Sequence, residues 1–354
     1  MFSGIEVQVV ESRAHAFVAY ARSCRLGPQY IRRIALNGEP VQHGPKRVPV
    51  TQALLVDLLA CLPRLESLHL SSVLLEDGEG AVSATPAHPT PTSRFELKKL
   101  HVSHCGDANS GLSGLAACLG VLAHIGELHL HWMDIHTDLE DQEFDDFAAE
   151  LARALPPVDA VVVNDGPTLT DVYLQALAVA PTVQCLRSLV VRSRCSWSHD
   201  RLGVLLARIG GGLRVLGLDL SQVREPQDIA VFCTELNLAA CTQIEEISVW
   251  LGLNPDLAEF GDLSYASFAH VVASVPPAAL RRVTLCLTSL IVLANATRED
   301  NMVDAALARF PALRELVVRA MPSPWWHPSE LDIVRTLWPL TEQHARVIVQ
   351  ELEE

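Results

Sequence analysis

The chain has 354 residues, 49% hydrophobic and 19% charged, which is more apolar material than a disordered chain carries and enough for a large core. Its 27 Lys and Arg against 42 Asp and Glu leave a formal charge of −15 at pH 7, which argues against nonspecific binding to nucleic acid or to an anionic membrane. Nine scattered cysteines with no C-x-x-C pair speak against a disulfide framework or a zinc ribbon, and the N-terminus does not read as a signal peptide, so a reducing compartment, cytoplasmic or nuclear, is expected.

In chain order, residues 1–30 are read as an N-terminal cap helix. From Ile31 onward a six-residue pattern recurs: an aliphatic, two variable residues, an aliphatic, one variable residue and another aliphatic. Its ten copies begin at Ile31, Leu65, Leu97, Ile125, Val158, Leu186, Leu213, Ile244, Leu280 and Leu313. Successive starts lie roughly 27 to 36 residues apart, a solenoid-type period. The last two aliphatics of each copy alternate as a strand with one buried face requires. A weaker copy lies at His344 to Val349.

Helical segments fill the intervals. Asp141 to Leu155 puts Phe144, Phe147, Leu151 and Leu155 on one stripe, has acids in its first turn and stops at Pro156 and Pro157. Ser198 to Ile209 stops at a run of three glycines, Ser264 to Val275 at Pro276, and Asn301 to Phe310 at Pro311. Two stretches interrupt the order: residues 76–94, rich in Pro and polar residues and expected as a mobile insertion, and residues 321–354, expected as a C-terminal cap with Trp325 and Trp326 among prolines. The repeats proper then span 31–320.

No single unit can bury its apolar face alone, and a right-handed crossover stacks such units with their strands parallel. The fold class expected is therefore α/β: a leucine-rich-repeat-like solenoid, or horseshoe, with a parallel sheet on the concave face and helices outside. The residues resemble the leucine-rich repeat family: Leu97, Leu100, Val102 and Cys105 match its L-x-x-L-x-L-x-x-N/C signature, and Leu65 to Leu70 and Leu186 to Val191 match the first half. The connections, such as Leu62-Pro63-Arg64-Leu65, and the segment from Arg13 to Leu36 look like the repeat region of fungal F-box proteins. That resemblance implies a substrate-binding surface attached to a cullin ubiquitin ligase through an N-terminal box. No LP-x-E-like opening of such a box precedes Arg13, so the expectation is a repeat-only relative or one whose first exon is missing from this sequence.

The strong catalytic signatures (Walker loop, H-E-x-x-H, G-x-S-x-G) are all missing, so neither catalysis nor a cofactor is expected. The fifth position of three consecutive copies is His69, His101 and His129, with His131 two residues further on. On adjacent parallel strands about 4.8 Å apart, His101, His129 and His131 are candidate ligands for a divalent ion. The solvent-facing position, with only Glu66 and Glu127 as supporting carboxylates, favours a polar ladder or a pH-dependent contact surface instead, and no metal is predicted. Further along the same face, Trp250 with Arg192, Arg282 and Arg319 supplies the residue types that dominate protein-protein hot spots. The expected partner is a protein, with a cullin-ligase adaptor as a second one and a stand-alone scaffold or inhibitor as the competing reading. Neither nucleic acid nor membrane is expected.

Overall fold

The computed structural model describes residues 5–24, 27–38, 49–77, 95–107, 112–133, 141–192, 199–220, 226–251, 261–287, 302–320, 338–339 and 341–351. The chain divides into two compact units, Met1–Leu186 and Arg187–Glu354. The first contains a parallel sheet in the order β1-β2-β4-β6-β8-β9. These strands are β1 (Ile5–Val10), β2 (Ile31–Asn37), β4 (Ser67–Ser71), β6 (Phe95–Ser103), β8 (Leu122–His131) and β9 (Val158–Asn164). A second, small parallel sheet is formed by β3 (Val50–Thr51), β5 (Leu74–Glu76) and β7 (Gly106–Asp107). The helices are α1 (Ala14–Ser23), α2 (Gln52–Cys61), α3 (Ser113–Gly120), α4 (Asp141–Ala154) and α5 (Pro167–Val179).

The second unit repeats the scheme. Its strands β10 (Ser188–Arg192), β11 (Val215–Asp219), β12 (Glu246–Leu251), β13 (Arg282–Leu287), β14 (Glu315–Ala320) and β15 (Arg346–Glu351) pair in sequence order, all parallel. Between them run α6 (His199–Ile209), α7 (Pro226–Glu235), α8 (Gly261–Ser274) and α9 (Met302–Leu307). Parallel strands in sequence order, with helices in most of the described intervals between them, make each unit a leucine-rich-repeat-like stack.

The six-residue pattern explains this order. Positions four and six point into the core: Ile34, Leu36, Leu68, Leu70, Leu100, Val102, Leu128, Leu130, Val161 and Val163 are at most 3% exposed, and their counterparts from Leu189 to Val318 are fully buried. Burying each such side chain contributes about 1.5–3 kcal/mol before chain entropy is charged against it. Successive copies are stitched at the strand entrance, where the Glu66 amide donates to the Arg32 carbonyl (2.8 Å) and the Lys98 amide to the Glu66 carbonyl (2.8 Å). Cys105, at the signature position, is buried with its thiol 3.5 Å from the Leu70 carbonyl, the kind of bond to the neighbouring repeat that an asparagine makes in a regular array.

A feature with no obvious sequence mark closes three strands of the first unit. Ser72, His104 and Trp132 follow β4, β6 and β8 with φ of 56°, 53° and 47°, and each donates its amide to the last residue of the next strand. This left-handed corner turns the chain off the sheet, at a steric cost that only Gly and, less well, Asn or Asp avoid. Close approach fixes a glycine elsewhere: a Cβ on Gly203 in α6 would sit 1.7 Å from the Glu235 carbonyl oxygen, so these helices meet closely only because no side chain is there.

The ends differ from the simplest expectation. Residues 1–30 hold a strand before the helix, and β1 pairs in parallel with β2. The segment IEVQVV alternates with period two but lacks the six-residue pattern, which is why a search for copies passes over it. At the other end β15 pairs with β14, and the segment before it is anchored by the buried carboxylate of Asp304, which accepts from the Thr341 amide (2.8 Å) and hydroxyl (2.7 Å). Trp338 is fully buried beside this anchor's segment. Trp325 and Trp326, and residues 78–94 of the expected insertion, lie outside the described residues.

Candidate partner-binding face

Alternation sends positions three, five and seven of each copy to the opposite face of the sheet. In the first unit the parallel register lines up Ser67, Lys99 and Glu127 as one row, His69, His101 and His129 as the next, and Ser71, Ser103 and His131 as a third. The four histidines singled out from sequence therefore do come together. Ring centroids are 4.2 Å apart for His69 and His101, 5.4 Å for His101 and His129, 4.7 Å for His101 and His131, and 5.7 Å for His129 and His131.

The imidazoles meet mostly through their faces. His69 and His101 stack with 23° between planes, and His129 and His131 with 21°. His129 Nε2 is 2.7 Å from Glu127 Oε1, and His69 Nε2 is 3.1 Å from Ser103 Oγ. Nε2 of His101 is buried with no hydrogen-bond partner among the described residues. Among the described residues no group of three or more His, Cys, Asp or Glu side chains has metal-binding geometry.

Burial sets the charge of this cluster. Loss of water, followed by the charges of His69, His131, His129 and Lys99, drives the His101 imidazole down to about 3. His69 is lowered as well, first by burial, against the pull of Glu6 and with a contribution from Lys99. For Glu127 burial alone would raise the carboxyl, but the His129 hydrogen bond and the charge of Lys99, 3.5 Å away, hold it below the usual carboxylate range. The His69–His101 pair is thus neutral at pH 7, a polar wall without charge.

The second unit uses the same positions for different chemistry. Trp250 lies over Gly217 of the preceding strand: a Cβ there would be 2.9 Å from the indole Cζ3 and 2.9 Å from Val190 Cγ1. Glycine is what allows the indole edge to come this close to the preceding strand. The Arg192 guanidinium sits 4.0 Å from the centroid of the Trp250 ring, a cation–π pair. Burial lowers the Arg192 pKa, Cys286 and Asp219 oppose that shift, and Arg319 adds to it. Burial also pushes the Cys286 thiol up to about 11, against the nearby Arg192 and Arg319.

Two of the four residues expected to contact a partner therefore meet directly, Arg192 and Trp250, while Arg319 stands two strands on from Trp250 in the same row, with its Nε donating to Gln350 Oε1 of β15 at 3.4 Å. Arg282 is not in that row. It stands in the row of position three, between Glu246 (3.4 Å) and Glu315 (2.6 Å), and its charge is taken up by those two carboxylates. What the sequence did not mark was Gly217, whose significance lies in the register that places it under Trp250.

Fold and face together define an α/β protein with a leucine-rich-repeat-like fold and a polar and aromatic sheet face. No helix among the described residues is long and apolar enough to cross a membrane. No protein-family model matches the chain, and no curated protein matches it. Among solved structures, a chain of the crystal structure of the Rad7 and Elc1 complex in yeast is 14% identical, with 90% of this chain and 82% of that one covered at a TM-score of 0.38. A likeness of that size identifies neither a family nor a partner.

Proposed function

We propose that this chain is a non-catalytic binding protein that holds a protein partner on the sheet face, with the main anchor in the second unit. The observation that carries this reading is the Arg192–Trp250 pair at 4.0 Å, with the indole against the Gly217 position. Aromatic and arginine side chains on a flat, partly desolvated platform are the groups that contribute most to protein interfaces. A partner segment with one apolar side chain for the indole and carboxylates for Arg192 and Arg319 fits this chemistry. The finer reading, that the partner is a ubiquitin-ligase substrate and the chain its receptor, rests on the likeness of the connections around Leu62 to Leu65 to fungal F-box proteins. The competing reading is a stand-alone scaffold or inhibitor using the same face.

Affinity purification of the tagged chain from its own cells, beside Trp250→Ala and Arg319→Ala, tests both levels. A partner retained by the wild type and lost from both variants is the expected result, and a cullin adaptor recovered with it supports the receptor reading. The same proteins retained by wild type and variants alike would show that binding takes place elsewhere.

A further inference from the structure

A depression of about 450 Å³ opens on the sheet face of the first unit, lined by Glu6, Arg33, Glu66, His69, Lys99 and His101 among others. That volume is within the range of small-ligand sites, roughly 300–1,000 Å³. With Lys98, the lining carries three cations against two carboxylates, a positive spot on a chain whose net charge is −15. Two of the cations are engaged, Lys98 with Glu66 at 3.0 Å and Lys99 with Glu127 at 3.5 Å. Arg33 is exposed and makes no ion pair among the described residues. Beside it the stacked His69 and His101 rings, 4.2 Å apart, can accept a proton only at the cost of bringing positive charge against Lys99 and against each other.

An anion in the depression would remove that cost. We propose that it binds an oxyanion, a carboxylate or a phosphate, with Arg33 and Lys99 as its charged contacts, and that the bound anion raises the pH at which the His69–His101 pair accepts a proton from solvent. The groups facing the pair are Glu6 from β1, Arg33 from β2, Glu66 ahead of β4, Lys98 and Lys99 from β6, and Glu127, His129 and His131 from β8. Of these, Glu6, Glu66 and Glu127 oppose the anion; Glu66 is paired with Lys98 and with Arg32 at 3.4 Å, and Glu127 with Lys99 and His129. Binding tightens as pH falls, because the protonated pair is the form the anion favours. This site is separate from the Trp250 platform and does not depend on what binds there.

The test is an NMR titration of the histidine ring signals of the full chain, assigned with His69→Gln and His101→Gln. It is run at matched ionic strength with chloride, with inorganic phosphate and with an acetylated triglutamate peptide. The expected result is a rise of about one pH unit in the midpoints of His69 and His101 with at least one probe. Arg33→Gln, at an exposed position, abolishes the rise. A response to phosphate alone assigns the site to phosphate, and a response to the peptide alone to carboxylates. Midpoints unmoved by both probes, or moved equally in Arg33→Gln, overturn the proposal.

Discussion

The two units put different chemistry on the same repeat positions. In the first, consecutive copies place imidazoles at positions five and seven, and the rings stack into a half-buried wall whose His69–His101 core is uncharged. In the second, position five is nearly emptied of bulk, as Val190, Gly217, Ser248 and Thr284, and position seven carries Arg192, Trp250 and Arg319. An identical strand scaffold thus yields a proton-sensitive surface in one place and a permanently charged aromatic platform in the other. The contrast shows that the aliphatics at positions four and six specify the fold, while the alternate positions are free to set function.

The largest expected effect separates the two faces by pH. The His101 imidazole has a folded-state pKa of about 3 against 6.5 unfolded, so the unfolded chain binds the extra proton between those values. The stability it contributes is complete above pH 6.5 and is lost as pH falls toward 3. Asp165 works in the opposite sense, since burial lifts its carboxyl to about 6 and favours the folded state at low pH. Comparison with His101→Gln isolates the histidine: wild type should lose more stability than the variant between pH 7 and pH 4 in urea unfolding, by less than the full shift implies because the ring is only partly buried. Parallel losses would mean that the stacked ring is not kept neutral by burial.

A smaller effect is expected at the other platform. Gly217→Val places side-chain atoms where Trp250 Cζ3 and Val190 now lie, and should cost about 2 kcal/mol while displacing the indole from Arg192. Tryptophan fluorescence should change and the histidine titrations should not; an unaltered emission spectrum would show that the indole does not rest on Gly217. The smallest effect belongs to Arg282→Gln. Its ion pairs with Glu246 and Glu315 are solvent-exposed, so stability should fall by less than about 1 kcal/mol, and partner retention should be unchanged. Loss of the partner in this variant would return Arg282 to the binding surface.

Much of this was legible in the sequence because parallel pairing in register converts a repeated position into a row. The ten copies locate ten strands, and His69, His101 and His129 at one position had to become neighbours. Ring orientation was not legible: whether imidazoles point their nitrogens or their faces at one another depends on side-chain packing, and of the three candidate ligands His129 and His131 stack while His101 is tilted against both. Nor was the pairing of Arg282, because Glu246 and Glu315 are distant in sequence and meet it only across strands. The platform of Trp250 required a glycine one strand earlier, an absence of side chain that no hydrophobic pattern records. β1 and the left-handed corners at Ser72, His104 and Trp132 escaped for a related reason, since both are set by backbone geometry and sheet-edge pairing and not by the aliphatic repeat.

The central claim is that the sheet face, and not the helical side, receives the partner. A photo-crosslinking amino acid placed at Ser248, beside the Trp250 platform, and separately at Val204, 64% exposed on α6, tests it in cells that express the chain naturally. The account predicts a specific crosslinked partner from Ser248 that is lost on adding Trp250→Ala, and none from Val204. A partner captured from Val204, with nothing captured from Ser248, would contradict it.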